Sequence, residues 1–242
     1  MDSRAQSDIR GLLRVPDNYH ILFMQGGGTG QFAAVALNLL GRADAPADYI
    51  VTGTWSAKAV DEARKYSSNI AVIGSGKASG SSAYTSVPSS LSVRPDASYV
   101  YYCDNETVDG VEFSSPPSVG DIPLVCDMSS NFLSRPIDIS KFGVIFAGAQ
   151  KNIGPSGVTI VIVRDDLLGR ELPVTPTVLS YKTAASNKSL YNTPPTFAIY
   201  VTALVCRWAT LLGGIDALSA ASARKAGAYV KRGFLGLFLE CL

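Results

Sequence analysis

The sequence is poor in the residues that build metal sites and disulfide frameworks. It has four cysteines, none of them in a CxxC pair, and His20 is its only histidine. Zinc fingers and histidine-based metal sites are therefore disfavoured. Four cysteines in 242 residues give no disulfide framework, and the opening MDSRAQSDIRGLL lacks the apolar core of a secretory signal. These features predict a reduced, cytoplasmic protein without a metal.

Net charge is also nearly absent, since 21 Lys and Arg stand against 20 Asp and Glu for a formal charge of +1. No overall field attracts the protein to nucleic acid or to an anionic membrane. The longest apolar stretch, residues 197–212, contains Arg207 and is short for a bilayer span. It predicts a buried helix. Hydrophobic residues make up 47% of the chain, enough for one large core and a small second lobe.

Short apolar runs alternate with helix-like segments, which is typical of an α/β fold whose mainly parallel sheet lies between helices. Residues 30–41 and 54–65 have helical spacing. Residues 74–94 predict an exposed connection, and residues 173–195 a long functional loop before a helix near Thr196. The seven predicted strands are residues 20–24, 48–51, 69–73, 99–103, 124–127, 144–147 and 159–163.

A glycine-rich turn, GGGTG at residues 26–30, follows the first predicted strand and opens a predicted helix. Backbone N–H groups at such a helix N-terminus stabilise a phosphate. The turn is not a P-loop because no Gly-Lys-Ser/Thr follows, and Gln31 breaks the GxGxxG spacing. A phosphate cradle and an ordinary strand-to-helix turn therefore both remain open.

Asp127 and Lys151 follow two of the predicted strands, and 24 positions separate them. That interval allows one strand–helix–strand excursion that returns both to the same sheet edge, where open α/β sheets bind ligands. A buried Asp127 needs a partner such as a protonated pyridine nitrogen, or it caps the turn at Ser129–Ser130. Small residues flank Lys151, and desolvation there favours a nucleophilic amine.

Trp55 and Thr107 also follow predicted strands. The indole of Trp55 is placed to lie over an aromatic ring, although core packing is the commoner fate of a tryptophan. Thr107 offers a hydroxyl to the same pocket, and the preceding Asn105 has a turn role as its simplest interpretation.

Taken in order, these motifs resemble the phosphoserine aminotransferase family, class V aminotransferases of pyridoxal 5'-phosphate (PLP) fold type I. The resemblance extends from about Asp8 to Tyr229. The motifs that carry it are QGGGTGQF, TGTWSAKA, DNETVDGVEF, CDMSSNFLSRPID, GAQKNIGPSGVTIVIVRDDLLG and YNTPPTFAIY.

The resemblance implies that Lys151 carries PLP as a Schiff base and that Asp127 pairs with its pyridine nitrogen. It further implies that Trp55 stacks on the ring and that Thr107 meets its 3-hydroxyl side. The implied reaction exchanges an amino group between glutamate and 3-phosphohydroxypyruvate, giving 2-oxoglutarate and O-phosphoserine in serine biosynthesis.

The resemblance also implies how the cofactor phosphate is held. Backbone N–H groups of Gly28 and Thr29 bind it, with Gln150 beside it. Asn192 and Thr193 reach across to the phosphate in a partner subunit, which makes a homodimer part of the active site.

The chain departs from the family's pattern at both ends, where no N-terminal arm with a His-Arg-Ser segment and no complete C-terminal domain is recognised. We expect residues 1–212 to form the PLP-binding large domain and residues 213–242 to begin a truncated small domain with an unrelated apolar tail. Slow turnover and uncovered apolar surface are expected in consequence. A non-catalytic PLP-binding or partner-binding form is an alternative, and a cysteine desulfurase is a weaker one, because no cysteine lies in a suitable loop.

Overall fold

The computed structural model describes the backbone of residues 2–239 and the side chains of residues 4–228. Within them, seven strands form one sheet in the order β1-β9-β8-β7-β4-β2-β3, and β5 and β6 form a separate hairpin. The strands are β1 (Tyr19–Met24), β2 (Ala47–Val51), β3 (Ile70–Ser75), β4 (Val100–Cys103), β5 (Asn105–Glu106), β6 (Val111–Glu112), β7 (Leu124–Asp127), β8 (Val144–Gly148) and β9 (Thr159–Arg164).

All seven predicted sheet strands are confirmed, and the sheet is mainly parallel. Neighbouring strands from β3 through β2, β4 and β7 to β8 pair in parallel, whereas β9 runs antiparallel to both β8 and β1. Every residue of β2, β4, β7 and β8 is buried. Strands covered on both faces read as continuous apolar runs, which is why the sequence predicts them well.

Helices cover both faces of the sheet. Helices α1 and α5 pack on one face, and α2, α3 and α4 on the other. The helices are α1 (Asp2–Leu13), α2 (Gly27–Leu39), α3 (Thr54–Ala63), α4 (Tyr181–Ser186), α5 (Thr196–Leu211) and α6 (Gly214–Leu239). The result is a three-layer arrangement with a core on each side of the sheet.

Three expectations about connections need correction. No α-helix links β7 to β8; the described connection has only a 3₁₀ turn, Ile139–Lys141, because its apolar side chains enter the core directly. The predicted loop at residues 173–195 contains α4, whose first turn is capped by the Ser180 hydroxyl accepting from the Thr183 N–H. Helix α1 was not predicted, and α2 begins earlier than expected because its opening glycines carry no periodic signal.

Helix α5 is only half buried, which corrects the expectation of a buried helix. Its small residues, such as Ala198, Ala203 and Ala209, face the core. Its opposite side exposes large apolar side chains, with Phe197 74% and Leu211 78% accessible. The exposed set comprises Phe197, Tyr200, Leu204, Trp208, Leu211 and the adjoining Leu212. Within the described residues, this side of α5 is therefore an exposed apolar surface.

Within the described residues, no single helix is long and apolar enough to cross a bilayer; α5 and the start of α6 reach that measure only together, as a pair bent by 87°. The predicted apolar tail, residues 231–242, lies outside the residues whose side chains are described. Its backbone continues α6 as far as Leu239.

Candidate active site

A pocket opens at the carboxyl ends of β4, β7 and β8, beside the N-termini of α2 and α3. This is the edge at which open α/β sheets bind ligands. The predicted residues that line it are Gly28, Thr29, Trp55, Asp127, Gln150 and Lys151. The other lining residues are Phe32, Cys103, Asn105, Ser129 and Ser130. Residues from five separate motifs therefore converge on this pocket.

The glycine-rich turn presents an uncapped helix N-terminus to this pocket. Gly26 and Gly27 have φ values of +95° and +64°, a region that L side chains rarely adopt. Among the described side chains none caps the start of α2, and its first turn holds no acidic residue. A Cβ at Gly28 would lie 3.6 Å from the Asp127 Oδ2 atom, so the turn approaches the carboxylate closely. The open N–H groups make this turn suitable for a phosphate.

Asp127 is buried at the end of β7. Its Oδ1 atom accepts a hydrogen bond from the Ser129 N–H at 2.9 Å, so the predicted turn-capping role is real. Burial raises the pKa of the carboxyl to about 6, against the opposing effects of the Ser129 hydrogen bonds and of Lys151. Within the described chain the carboxylate forms no salt bridge. A buried carboxylate without a salt-bridge partner suits a ligand that brings its own positive charge.

Lys151 lies in a tight turn after β8. The Gly154 N–H donates to the Ala149 carbonyl at 2.9 Å and closes the turn, while the Asn152 amide donates to the Phe132 carbonyl at 2.7 Å. The second bond ties this turn to the one that follows Asp127. Lys151 itself is exposed, so the described residues of this chain do not produce the desolvation that we expected around its amine.

Trp55 and Thr107 meet at the mouth of the pocket. The Trp55 indole N–H donates to the Thr107 hydroxyl at 3.3 Å, and the Lys151 Nζ atom lies 3.3 Å from the same oxygen. The Lys151 ammonium is 5.6 Å from the centre of the indole, and that of Lys58 is 4.8 Å away. Trp55 is only half-buried, so it packs partly on the core and keeps the rest of its ring beside the pocket.

Asn192 and Thr193 do not line the pocket that contains Lys151. Both are exposed, and the Thr193 carbonyl accepts a hydrogen bond from the Gln25 amide at 3.0 Å. Their segment therefore lies next to the glycine-rich turn. Within the described residues, neither side chain forms a hydrogen bond with Asp127 or Lys151.

Ser129 and Glu106 are site residues that the sequence reasoning missed. The Ser129 hydroxyl accepts from the Gly148 N–H at 3.0 Å, so this serine joins the end of β7 to the end of β8. The sequence signal for Ser129 was its position two residues after Asp127, but from the sequence alone that position indicates only a turn. Glu106 contacts the N-terminus of α3, about fifty positions earlier in the chain, and no local pattern reveals such a contact.

The family profile described as Aminotransferase class-V matches residues 3–232. The chain belongs to this family. Among its class V relatives, the phosphoserine aminotransferase of Drosophila melanogaster is 57% identical over 222 residues, which is 90% of this chain and 59% of the relative. The chain thus spans about 60% of the length of the curated relatives that it matches.

Solved structures agree with the family assignment. The phosphoserine aminotransferase from Bacillus circulans subsp. alkalophilus superposes with a TM-score of 0.89 at 40% identity, covering 95% of this chain and 63% of that one. The PLP-bound phosphoserine aminotransferase from Trichomonas vaginalis gives 0.86 at 42% identity, covering 93% and 66%. The α/β fold of this chain is therefore that of the class V large domain.

Proposed function

We propose that this chain is the PLP-binding part of a phosphoserine aminotransferase, which exchanges an amino group between glutamate and 3-phosphohydroxypyruvate in serine biosynthesis. The observation that carries the proposal is the Asp127 carboxylate, which is buried without a salt bridge in the described chain and shares a pocket with Lys151 and the open end of α2. The carboxylate is complementary to the pyridine nitrogen of PLP, Lys151 to its aldehyde, and the open end of α2 to its phosphate.

The remaining candidate residues have matching roles around the same group. Trp55 would lie against the ring and Thr107 would meet its 3-hydroxyl side, because these two side chains already contact each other at the mouth of the pocket. Gly28 and Thr29 would hold the phosphate through N–H groups of the α2 turn, with Gln150 beside them.

When bound with its ring nitrogen protonated, PLP supplies an electron sink for charge that develops at the α-carbon of the amino acid. Asp127 keeps that proton in place, since an ionised carboxylate beside the nitrogen favours its charged form. Lys151 would hold the cofactor through its Nζ atom. Once free, the same amine would act as a general base toward the α-carbon of the amino acid and as a general acid toward C4' of the cofactor.

The homodimer, the cytoplasmic location and the domain boundary remain parts of this proposal. Asn192 and Thr193 lie on the surface beside the glycine-rich turn, which is where residues directed at a partner subunit need to be. The chain bends sharply between α5 and α6, at Leu212–Gly213, and this bend supports a boundary near residue 212.

The first alternative is a non-catalytic form that binds PLP or pairs with another subunit; it is compatible with the same pocket. The second, a cysteine desulfurase, is disfavoured by the chemistry of Cys103. This thiol lines the pocket, but burial raises its pKa well above the usual value and so suppresses the nucleophilic thiolate.

The test is a half-reaction followed by absorption spectroscopy. The purified chain is loaded with PLP, freed of excess cofactor and mixed with glutamate. Conversion of the bound cofactor to its amino form, with about one equivalent of 2-oxoglutarate per site, is the expected result. Tight PLP binding without conversion would favour the non-catalytic alternative, and release of sulfur from added cysteine would favour a desulfurase.

A further inference from the structure

The N-terminus of α3 is capped by carboxylates from a distant hairpin. The Thr54 N–H donates to the Asp109 Oδ2 atom at 2.7 Å. The Trp55 and Ser56 N–H groups donate to the two carboxylate oxygens of Glu106 at 2.9 and 2.8 Å. The first N–H groups of a helix have no partners within it, so these bonds satisfy all three.

The Glu106 side chain is buried against the N-terminus of α3. Its side chain is 0% exposed, and within the described residues it forms no salt bridge. The Ser56 hydroxyl adds a further hydrogen bond at 2.5 Å. A Cβ at Gly53 would lie 2.5 Å from the Glu106 Cδ atom, so the glycine leaves the room that the carboxylate needs. The charge is therefore stabilised by the N-terminal end of α3 rather than by a basic side chain.

The same hairpin also holds the side chain of Trp55. Thr107 follows Glu106 directly, and its hydroxyl accepts from the Trp55 indole N–H while contacting the Lys151 amine. Glu106 thus fixes the backbone of Trp55, and Thr107 fixes one edge of its ring. The two contacts come from adjacent residues, so movement of one affects the other.

We propose that Glu106, assisted by Asp109, is a positioning residue for Trp55: its carboxylate sets the start of α3 so that the indole stays at the mouth of the pocket. With respect to the cofactor ring, this inference rests on the proposed PLP function. With respect to Trp55 it is independent of any ligand, because all the contacts lie within the chain.

The experiment uses the fact that the chain has only two tryptophans, Trp55 and Trp208. In a Trp208→Phe background, all tryptophan fluorescence, excited at wavelengths that tyrosine does not absorb, reports on Trp55. Glu106→Gln is compared with Glu112→Gln, a carboxamide substitution in the same hairpin at a half-exposed side chain that faces Arg135 instead of α3. Acrylamide quenching, fluorescence anisotropy and hydrogen exchange of the Trp55 and Ser56 amides are measured without PLP, followed by PLP affinity.

In Glu106→Gln we expect a more mobile and more accessible indole, amide exchange at residues 55 and 56 faster by roughly tenfold, and PLP affinity weaker by roughly tenfold, as loss of a helix cap predicts. Glu112→Gln should match the parent. Asp109→Asn should give a smaller change of the same kind and serves as the test if Glu106→Gln does not fold.

Unchanged quenching and exchange in both Glu106→Gln and Asp109→Asn would overturn the proposal. A mobilised Trp55 with unaltered PLP affinity would overturn its cofactor part. If the parent protein does not bind PLP at all, the proposed function fails, whereas the measurements without PLP still decide whether Glu106 positions Trp55.

Discussion

At the scale of single residues, the ionisation of Asp127 connects stability with cofactor binding. Its pKa is raised from 3.8 to about 6 because it is buried. Between these values the folded chain retains a proton that the unfolded chain has lost, so stability falls as the pH rises from about 4 to about 6. Above pH 6 the Asp127 carboxyl is ionised in both the folded and the unfolded chain, and the full free-energy cost of burying its charge remains. A cation beside the carboxylate would remove that cost.

Asp127→Asn should therefore stabilise the cofactor-free chain at pH 8 by about 1–3 kcal/mol, with the gain shrinking toward pH 4. Thermal unfolding at several pH values measures it. Asp138→Asn is the control, because a hydrogen bond from Ser140 lowers the pKa of that exposed carboxyl.

The Asp127 variant should also retain some PLP but lose the half-reaction. If the Asp127→Asn variant carries out the half-reaction near the parental rate, Asp127 serves only to cap the turn.

At the scale of elements, the glycine-rich turn and α2 would form the proposed phosphate site. Gly27 has a φ of +64°, and a Cβ there would meet nothing within 4 Å. A substitution is therefore opposed by backbone conformation alone and not by crowding. The same residue opens α2, whose first N–H groups are free of side-chain caps.

Gly27→Ala should destabilise the chain by about 1–2 kcal/mol and weaken PLP binding, because the helix start shifts away from the phosphate. Chemical denaturation and cofactor titration measure the two effects. Gly11→Ala is the matched control: it lies within α1 with open space around it and should be neutral or stabilising by up to about 1 kcal/mol. Equal stability and equal PLP affinity of Gly27→Ala and the parent would contradict this account.

The elements also show why some of the fold could be predicted and some could not. Strands such as β7 and β8 are buried on both faces, so they are visible as apolar runs. The position of Asp127 and Lys151 at the ends of these strands predicted that they lie at one sheet edge, whereas their roles toward PLP came from the family resemblance. The contacts of Ser129 with Gly148 and of Glu106 with α3 join residues far apart in sequence, and a local pattern contains no information about them.

At the scale of the whole molecule, the central question is whether two copies share their sites. Asn192 and Thr193 came from family resemblance and not from any pattern in the residues, and within one chain they do not line the pocket that contains Lys151. The exposed apolar side of α5 adds further surface that another chain or domain could cover.

Subunit complementation tests the shared site. A chain with Lys151→Ala should attach no PLP covalently, and one with Asn192→Ala and Thr193→Ala should bind it weakly. In mixed dimers, one of the two sites receives Lys151 and intact partner residues together, so high-affinity covalent binding should return to about half of the sites. Absence of recovery in demonstrably mixed dimers would show that the residues act within one chain, or not at all.

The most direct measurement is borohydride trapping of PLP on this chain, followed by peptide mapping. Among the described residues, Lys151 is the only lysine that lines the pocket with Asp127 and the α2 turn. We therefore predict a single pyridoxyl label on Lys151 that Lys151→Ala abolishes and Lys58→Ala leaves in place. No label at saturating PLP, or a label on Lys58 or Lys182, would contradict the assignment.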